Sequence, residues 1–461
     1  METIKSIWHN DDYPQYQKLK NDIDTETLII GGGLSGISAA YYLSRNGIKA
    51  VVIEANKIGS GTTKNTTAHI TSQHDATYDR YLNQFGQIKT SIIAKANQEA
   101  IDEIESIINT ENIDCNFERV DSYLFTKNPE NSIKLRKEYY ALKHTAITAF
   151  LTTQTGLVPF EYELALGFEN QATFHPMKYL HGLAQCCCNN KVKIYEDTKA
   201  MEIKDGNVLT NDGHKIKASN IVIATNFPII NFPGLYFIRV YQHKSYNGAY
   251  NVSNNVSGMW NCIDQDGYTY RKYEDTVIVS GQGHQCGYET DVPHYHKLKN
   301  HVEKTFSQAT EINRWSAQDC MTPDNLPLVG YYSKKERNLF VMTGFNKWGM
   351  TSTNIAGRII GDLVAEKNNA YSEIYAPSRK MSIGVIGKAV WSNMKMVGSL
   401  VGGLNHLSNP VCTHLKCRTV YNPEEQTWDC PCHGSRFDKL GNVINSPAIK
   451  RLDETQIQPK A

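Results

Sequence analysis

The pattern of apolar and polar positions near the start of the chain predicts a strand, a turn, a helix and a second strand. A short apolar run covers residues 28–30, a helical pattern ends at Gly47, and a second apolar run covers residues 50–53. Closely spaced glycines separate the first run from the helix. Two parallel strands joined by a helix produce this order, so the segment is predicted to form a βαβ unit.

Helical and strand periods continue further along the chain. Apolar residues three and four positions apart predict one helix over 78–110 and another over 131–151. Short β runs alternate with Asp-Gly turns in 191–226, and the last run, 221–224, is wholly apolar. Residues 236–290 are rich in Tyr, Val and Ile with polar alternation, which indicates an antiparallel sheet.

The charge balance and the N-terminal residues argue against a nucleic-acid-binding, secreted or membrane-spanning protein. The 461 residues suffice for two or three domains. The 48 Lys and Arg residues and 47 Asp and Glu residues are interspersed, so nucleic acid is not expected as a partner. The N-terminus has no secretory signal pattern, and Lys388 and Lys395 interrupt the apolar stretch 381–404. We therefore expect a cytoplasmic protein without a transmembrane segment, while weak contact of this stretch with a membrane surface stays open.

The turn in the βαβ unit has the glycine spacing of a dinucleotide-binding site. Gly31, Gly33 and Gly36 form a G-x-G-x-x-G motif, and Glu54 follows the second strand. The first glycine allows a tight turn, the second lets the backbone approach a pyrophosphate, and the third lets helix and strand pack closely. The helix N-terminus faces the phosphate charge, and Glu54 can accept the ribose hydroxyls. The motif predicts an adenosine-containing cofactor and leaves FAD and NAD as alternatives.

A second glycine-rich segment, residues 277–287, does not repeat this motif. Its glycines, at 281, 283 and 287, miss the required spacing, and no apolar-periodic helix follows directly. The segment is predicted to be a strand and a turn, so no separate NAD(P)H domain is expected.

Four segments, taken in order, carry a family resemblance. They are IIGGGLSGISAAYYL at 29–43, GSGTTKNTTA at 59–68, IVIATN at 221–226, and the pair TPDNLPLVG and GFNKWGMTSTNIAGRIIGDLV between 322 and 364. Together they resemble the D-amino-acid-oxidase-like family of FAD-dependent oxidoreductases, which includes glycine and sarcosine oxidases. The resemblance spans about residues 26–367. It implies an α/β (α+β) fold, with a Rossmann-like FAD-binding domain and an antiparallel-sheet substrate domain.

The same resemblance implies which residues hold FAD. Thr62 and Thr63 match the loop over the pyrophosphate and ribityl chain, Ala200 matches a backbone contact to adenine, and 344–351 matches the segment beside the isoalloxazine. His69 and Cys320 do not fall on the family's attachment positions, so non-covalent FAD is predicted. The implied FAD-binding residues are Gly31, Gly33, Gly36, Glu54, Thr62, Thr63, Ala200, Gly344, Phe345, Gly349, Met350 and Thr351.

The substrate side departs from the family pattern. Amino-acid oxidases of this family have an arginine shortly before the T-x-D element that binds the substrate carboxylate, whereas this chain has Asp319. A carboxylate would repel a simple amino acid and attract a cationic amine, although an ordinary exposed or helix-capping acid is an open alternative. Catalytic residues are not assigned beyond the candidates Asp319, Lys347 and His243. Tyr241, Trp260, Tyr268, Tyr270 and Arg271 are expected mainly to pack in the substrate sheet.

Four of the eleven cysteines and two histidines are concentrated near the C-terminus. The other cysteines are scattered or lie in the CCC run at 186–188, and are expected to be packed thiols. Cys412-x-His414 and Cys430-x-x-His433 could by residue type bind zinc. Mixed Cys-His pairs on two loops better suit an iron–sulfur cluster with cysteines on one iron and histidines on the other.

The boxes CTHLKC and CPCHGS resemble those of the Rieske 2Fe-2S family. The resemblance implies a small all-β domain, histidines at its surface, and a disulfide between Cys417 and Cys432. Ser435 matches a serine that hydrogen-bonds a bridging sulfide, whereas Phe437 stands where high-potential members have tyrosine, so a lower midpoint potential is predicted. The implied cluster ligands are Cys412 and Cys430 on the inner iron and His414 and His433 on the outer iron.

These features predict a flavin and iron–sulfur oxidoreductase of dehydrogenase type. An amine or amino-acid-like substrate would reduce FAD, and the cluster would pass electrons singly, through its exposed histidine edge, to an external one-electron acceptor. Two alternatives stay open: an electron-transfer protein without a small substrate, and a redox sensor. Because residues 381–410 show little strand alternation, the Rieske base is expected either to be abbreviated or to dock on the flavoprotein. The predicted units are an extension (1–25), the FAD-binding domain (26–235 and 314–367), the substrate domain (236–313), a linker (368–405) and the Rieske domain (406–461).

Overall fold

The computed structural model of the chain contains three sheets and the helices that pack on them, within the residues it describes. None of the helices in those residues is both long enough and apolar enough to cross a membrane. The apolar stretch 381–404 lies outside them, apart from Gly384 and Gly387. The described residues are 4–10, 12–253, 256–380, 384, 387 and 408–457.

The strands and the α-helices are given separately below, each set in chain order. The strands are β1 (Ile23–Ile30), β2 (Ala50–Ile53), β3 (His69–Ile70), β4 (Glu118–Thr126), β5 (Ala149–Thr152), β6 (Leu164–Thr173), β7 (Lys193–Tyr195), β8 (Ala200–Lys204), β9 (Asn207–Thr210), β10 (Lys215–Ile223), β11 (Tyr241–Asn251), β12 (Met259–Cys262), β13 (Thr269–Tyr273), β14 (Thr276–Gln285), β15 (Thr310–Met321), β16 (Leu328–Tyr331), β17 (Leu339–Thr343), β18 (Val420–Asn422), β19 (Thr427–Asp429), β20 (Arg436–Asp438) and β21 (Val443–Asn445). The α-helices are α1 (Leu34–Arg45), α2 (Tyr78–Glu111), α3 (Ser132–Leu142), α4 (Pro176–Asn189), α5 (His294–Thr305), α6 (Gly349–Val364) and α7 (Ser372–Tyr375).

The eight-stranded sheet contains the predicted βαβ unit. Its main path is β16-β17-β10-β1-β2-β7, and β1 runs parallel to both β2 and β10. Ile30 aligns with Ile53 on one side and with Ile223 on the other, so three carboxyl ends meet at one edge. Helix α1 starts at this edge. Ligands of open α/β sheets bind at such an edge, outside the carboxyl ends of the strands.

Helix α6 packs closely on α1 because glycines face the contact. A Cβ atom at Gly357 would lie 2.4 Å from Ser38 Oγ, and one at Gly361 would lie 2.7 Å from Tyr42 Cβ. Larger side chains would push the two helices apart. The close packing holds both helix N-termini near the same edge of the sheet.

The nine-stranded sheet includes the predicted substrate sheet and extends beyond it. Strands β11 to β14 pair antiparallel within residues 236–290, as predicted. Earlier strands β4 and β6 join through β12, which runs parallel to β4. The sheet is therefore not wholly antiparallel, and it is not confined to residues 236–313. Buried aromatic packing explains the extension, since Tyr123 of β4 stacks on Trp260 of β12 with ring centroids 4.2 Å apart.

One predicted helix is confirmed, and the range predicted for another extends beyond the helix that the structure shows. Helix α2 covers the predicted segment, with a break at Gly86, whose φ is 77°. The helix predicted over 131–151 ends at Leu142, where the Thr145 hydroxyl donates to the Leu142 carbonyl. The end of the predicted range is strand β5, because pairing with β6 outweighs the local helical period.

The C-terminal four-stranded sheet, β18-β19-β20-β21, belongs to a unit that packs directly against residues of the two larger sheets. Gln318 Nε2 donates to the Gly434 carbonyl at 2.6 Å, and the Ser446 hydroxyl donates to the Thr225 carbonyl at 3.1 Å. The predicted base of this domain, residues 381–410, lies almost wholly outside the described residues.

Candidate functional site

A long cavity opens at the carboxyl edge of the eight-stranded sheet. At one end it is lined by Gly31, Gly33, Glu54 and Thr63. Glu54 accepts a hydrogen bond from the Gly32 backbone at 2.7 Å, and the Thr63 hydroxyl accepts one from the Leu34 backbone at 3.0 Å. The N-cap residue Gly33 has no side chain to cap α1, so amide groups of its first turn other than that of Leu34 can bind an anion such as a pyrophosphate.

The glycines of the turn are required by close backbone contacts. A Cβ atom at Gly36 would lie 1.9 Å from the Gly31 carbonyl oxygen, and one at Gly31 would lie 2.5 Å from the Ala224 carbonyl oxygen. Gly31 also has a φ of 114°, which side chains disfavour. No side chains therefore cover the backbone of the turn where a dinucleotide must approach, which fits the predicted cofactor.

The cavity continues to the N-terminus of α6. Asp319, Cys320, Phe345 and Lys347 line this end. Cys320 is buried there, and its thiol lies 3.3 Å from the Thr343 hydroxyl. Of the predicted FAD-binding residues, those that line the cavity are Gly31, Gly33, Glu54, Thr62, Thr63, Ala200, Phe345, Gly349 and Met350, and those that do not are Gly36, Gly344 and Thr351.

A second, polar cavity joins the first at Asp319 and Lys347, which line both. Burial raises the pKa of Asp319 to about 6, and Lys347 opposes this rise. Burial, with Lys347 nearby, holds the pKa of His243 well below its ordinary value, so this imidazole is uncharged. Asp75 also lines the second cavity, and burial raises its pKa while Lys347 lowers it. The junction therefore places two carboxylates, one ammonium and a neutral imidazole around one polar space.

The remaining substrate-sheet candidates have structural roles. Arg271 is buried and donates to the backbone carbonyls of Thr67, Ala68 and Phe174. Tyr268 stacks on His301, with ring centroids 3.6 Å apart. Trp260 and Tyr270 belong to a buried aromatic core, and Tyr241 lies in β11.

Asp75 was not found from the sequence. It lies in a loop after β3 with a left-handed φ of 56°, outside any recognisable motif. Only the fold brings it to Lys347 and to the Trp348 side chain.

The four predicted cluster ligands come together at one end of the C-terminal sheet. Cys412 and Cys430 are buried, and the Nδ1 atoms of His414 and His433 are buried without a hydrogen-bond partner among the described residues. Burial lowers the pKa of His414 to about 4 and that of His433 to about 3, so both imidazoles are neutral, as metal ligands must be. Buried thiols beside unpaired imidazole nitrogens fit a 2Fe-2S cluster.

The predicted disulfide pair lies beside these ligands. The Sγ atoms of Cys417 and Cys432 are 2.20 Å apart, and their Cα atoms are 6.5 Å apart.

The histidine edge of the cluster site faces the flavoprotein, so the prediction that it is exposed was wrong. His433 is only 3% exposed, and its ring contacts Phe227 and Phe237 at centroid distances of 6.1 and 6.0 Å. His414 Nε2 donates to Asn231 Oδ1 at 2.8 Å. This bond leaves His414 Nδ1 for iron and orients the ring. The segment after β10, which no motif singled out, covers the edge.

The C-terminal unit and the rest of the chain share one wall of the first cavity. Residues of β21 and of the loop after it line this cavity together with residues of the eight-stranded and nine-stranded sheets. These residues are Val443, Ile444, Asn445, Ser446, Ala448 and Ile449.

Comparison with known proteins decides the family. The profile of the family described as FAD dependent oxidoreductase matches residues 26–363, and that of the Rieske [2Fe-2S] domain matches residues 384–456. The chain belongs to the FAD dependent oxidoreductase family. This FAD-dependent oxidoreductase binds FAD and, in its Rieske domain, a 2Fe-2S cluster.

Relatives of this oxidoreductase include one that aligns with nearly the whole chain. The Bacillus subtilis (strain 168) protein YhfW, whose name describes a Rieske 2Fe-2S iron-sulfur protein, is 36% identical over 502 residues, covering 99% of this chain and 98% of that protein. Gamma-glutamylputrescine oxidoreductase of Escherichia coli (strain K12) is 21% identical over 389 residues, covering 78% and 89%. The crystal structure of L-proline dehydrogenase from P. horikoshii has the same fold, with a TM-score of 0.66 at 18% identity, covering 78% of this chain and 98% of that one.

Proposed function

We propose that this oxidoreductase oxidises the C–N bond of an amine or amino-acid-like substrate and passes the electrons singly through its Rieske cluster to an external acceptor. The observation that carries the proposal is the shared wall, in which Rieske residues such as Ser446 line the flavin cavity. The histidine edge also faces the flavoprotein, through the contacts of Phe227 with His414 and His433. Dehydrogenase behaviour follows, because a cluster so placed competes with oxygen for electrons.

The chemistry of the cavity junction supports a cationic substrate. Asp319 stands where the family's amino-acid oxidases carry arginine, and Asp75 adds a second carboxylate. The names of two relatives or structural neighbours, gamma-glutamylputrescine oxidoreductase and L-proline dehydrogenase, point to the same class of C–N substrate. FAD supplies two-electron oxidation of the substrate carbon, and the cluster supplies one-electron transfer.

The residues at the junction have distinct roles in this proposal. Asp319 attracts the substrate ammonium, and the neutral His243 does not repel it. Lys347 binds any carboxyl or carbonyl group of the substrate and stabilises the ionised forms of Asp75 and Asp319.

The pKa of Asp319 predicts the acid side of the pH profile. Because this pKa is raised to about 6, the carboxylate forms as pH rises through that value, and kcat/KM for an amine should rise with it. The Asp319→Asn variant should lose this limb and lower kcat/KM at pH 8 by about tenfold or more, since it removes one charge interaction. The control is Asp275→Asn, at an exposed aspartate outside both cavities. An unchanged profile in Asp319→Asn would contradict the assigned role.

A substrate screen tests the function itself. The holoprotein is mixed anaerobically with diamines, N-acylated diamines and N-alkyl amino acids, and flavin absorbance and the Rieske EPR signal are recorded together. A substrate should bleach the flavin and produce the reduced-cluster signal. Bleached flavin beside an oxidised cluster would refute the relay. A flavin that no amine reduces, but that an external reductant reduces through the cluster, would favour the electron-transfer alternative.

Phe437 predicts a lower midpoint potential for the cluster than tyrosine at this position would give. The ring is fully buried in β20, in the same small core as Cys412 and Cys430, and it has no hydroxyl to donate to the cluster. Phe437→Tyr should raise the midpoint by about 60 mV, equivalent to one hydrogen bond of about 1.4 kcal/mol. Tyr421→Phe, elsewhere in the domain, should leave the midpoint unchanged. A midpoint near about +300 mV in the unmodified protein would contradict the inference.

Several finer assignments belong to the same proposal. These are the domain boundaries, the individual FAD contacts and cluster ligands, a cytoplasmic location, the Cys417–Cys432 disulfide and non-covalent FAD. Acid precipitation tests the last of these, because non-covalent FAD appears in the supernatant. To test the disulfide, the protein is denatured and its free thiols are labelled, with and without prior reduction.

A further inference from the structure

A second set of metal-binding side chains lies outside both cofactor sites. One ring nitrogen each of His284 and His294 and a carboxylate oxygen of Glu289 lie within 4.8 Å of one another. We propose that these three side chains bind a zinc ion. Two imidazoles and a carboxylate, with water in the fourth position, form a typical donor set for zinc.

The hydrogen bonds of both imidazoles leave one nitrogen available. His284 Nδ1 donates to the Gln282 carbonyl at 3.2 Å, which leaves a lone pair on Nε2. His294 Nε2 donates to the Glu289 carbonyl at 3.0 Å, and its Nδ1 is buried without a partner in the part of the chain described. Zinc-binding histidines commonly donate their second nitrogen to a carbonyl in this way, because the bond fixes the tautomer and the ring orientation.

The rings are also held in place. The His284 and His294 rings stack with centroids 4.5 Å apart, and Tyr246 stacks on His294 at the same distance. Glu289 is exposed, which gives the ion a path from solvent.

The site lies behind the surface on which the Rieske domain docks. The loop between the two histidines contains Cys286, whose thiol contacts the Gly434 carbonyl at 3.9 Å. It also contains Gly287, where a Cβ atom would lie 2.5 Å from the backbone of Pro431. The ion would therefore brace the loop that supports the second cysteine–histidine box.

The test counts metals in the complete holoprotein. The protein is incubated with zinc chloride, desalted, and analysed for zinc and iron, with the zinc X-ray absorption edge recorded. One zinc per chain with nitrogen and oxygen ligands is expected beside an unchanged iron content. Glu289→Gln should weaken zinc binding by about tenfold or more, and His284→Gln should abolish it, without loss of the Rieske EPR signal. The matched controls, the exposed residues His296→Gln and Glu303→Gln, should keep the zinc.

The same measurements can overturn the proposal. Zinc that persists in both Glu289→Gln and His284→Gln contradicts it. So does zinc with sulfur ligands that disappears only in Cys412→Ser, because that zinc would occupy the cluster site. A holoprotein that binds no zinc above background also contradicts it. If His284→Gln fails to fold, Glu289→Gln decides the question, since this side chain is exposed.

Discussion

Replacing Gly36 by alanine should weaken FAD binding more than any other single methyl group added to the turn. The added Cβ would lie 1.9 Å from the Gly31 carbonyl oxygen, which is backbone and cannot rotate away. Either α1 or the turn must move, at a cost of about 1–3 kcal/mol. If the strain falls on the bound state, the Kd for FAD rises by about 5- to 150-fold. Flavin content after purification and titration of the apoprotein with FAD measure the effect.

Gly47→Ala, at the other end of α1, separates this clash from general damage to the helix. Gly47 has a φ of 76°, and apart from its two chain neighbours no described residue has an atom within 4 Å of the position that an alanine methyl group would take. Alanine there adds backbone strain without touching the turn. It should lower the free energy of unfolding by about 1 kcal/mol and leave the affinity for FAD unchanged. Normal FAD affinity in Gly36→Ala would show that this turn does not hold the cofactor.

Short-range spacing made the cofactor sites predictable. The turn from Gly31 to Gly36 and each cysteine–histidine box fall within a few residues, so their chemistry can be read without knowing the fold. The same holds for the βαβ unit, whose parts adjoin in the chain. The predicted end of the helix over 131–151 was wrong because strand β5 forms there through pairing with β6, which lies outside the local sequence pattern.

Contacts between distant parts of the chain were not predictable in this way. Asn231 and His414 are 183 positions apart, and their hydrogen bond is one reason the histidine edge is covered rather than exposed. Asp75 likewise reaches the cavity junction only through the fold. In the proposed relay, the covered edge would favour exchange with the flavin, and an external acceptor would have to reach the cluster by another face or after the domain moves.

Replacing Lys244 by methionine should destabilise the docked Rieske domain by about 3–5 kcal/mol. The Lys244 side chain is fully buried in β11 and pairs with Glu425 and Asp429 of the Rieske domain, the latter at 3.2 Å. Arg436 pairs with the same two acids at 2.9 and 3.1 Å. Burial alone would raise the pKa of Asp429, but Lys244 and Arg436 lower it to about 2, so the acids are ionised. Removing one cation leaves a buried negative charge without compensation.

Thermal unfolding followed separately by cluster absorbance and by flavin fluorescence measures this effect. In Lys244→Met, the unfolding transition recorded by cluster absorbance should move to lower temperature. Reduction of the cluster by reduced flavin should also slow, because the shared wall opens. Adding Glu425→Gln restores charge balance and should recover part of the loss, which a simple packing defect would not do. Lys18→Met removes a surface pair with Asp212, where both partners are more than one third exposed, and should cost no more than about 1 kcal/mol. Equal effects of Lys18→Met and Lys244→Met would mean that the buried ion network does not hold the two domains together.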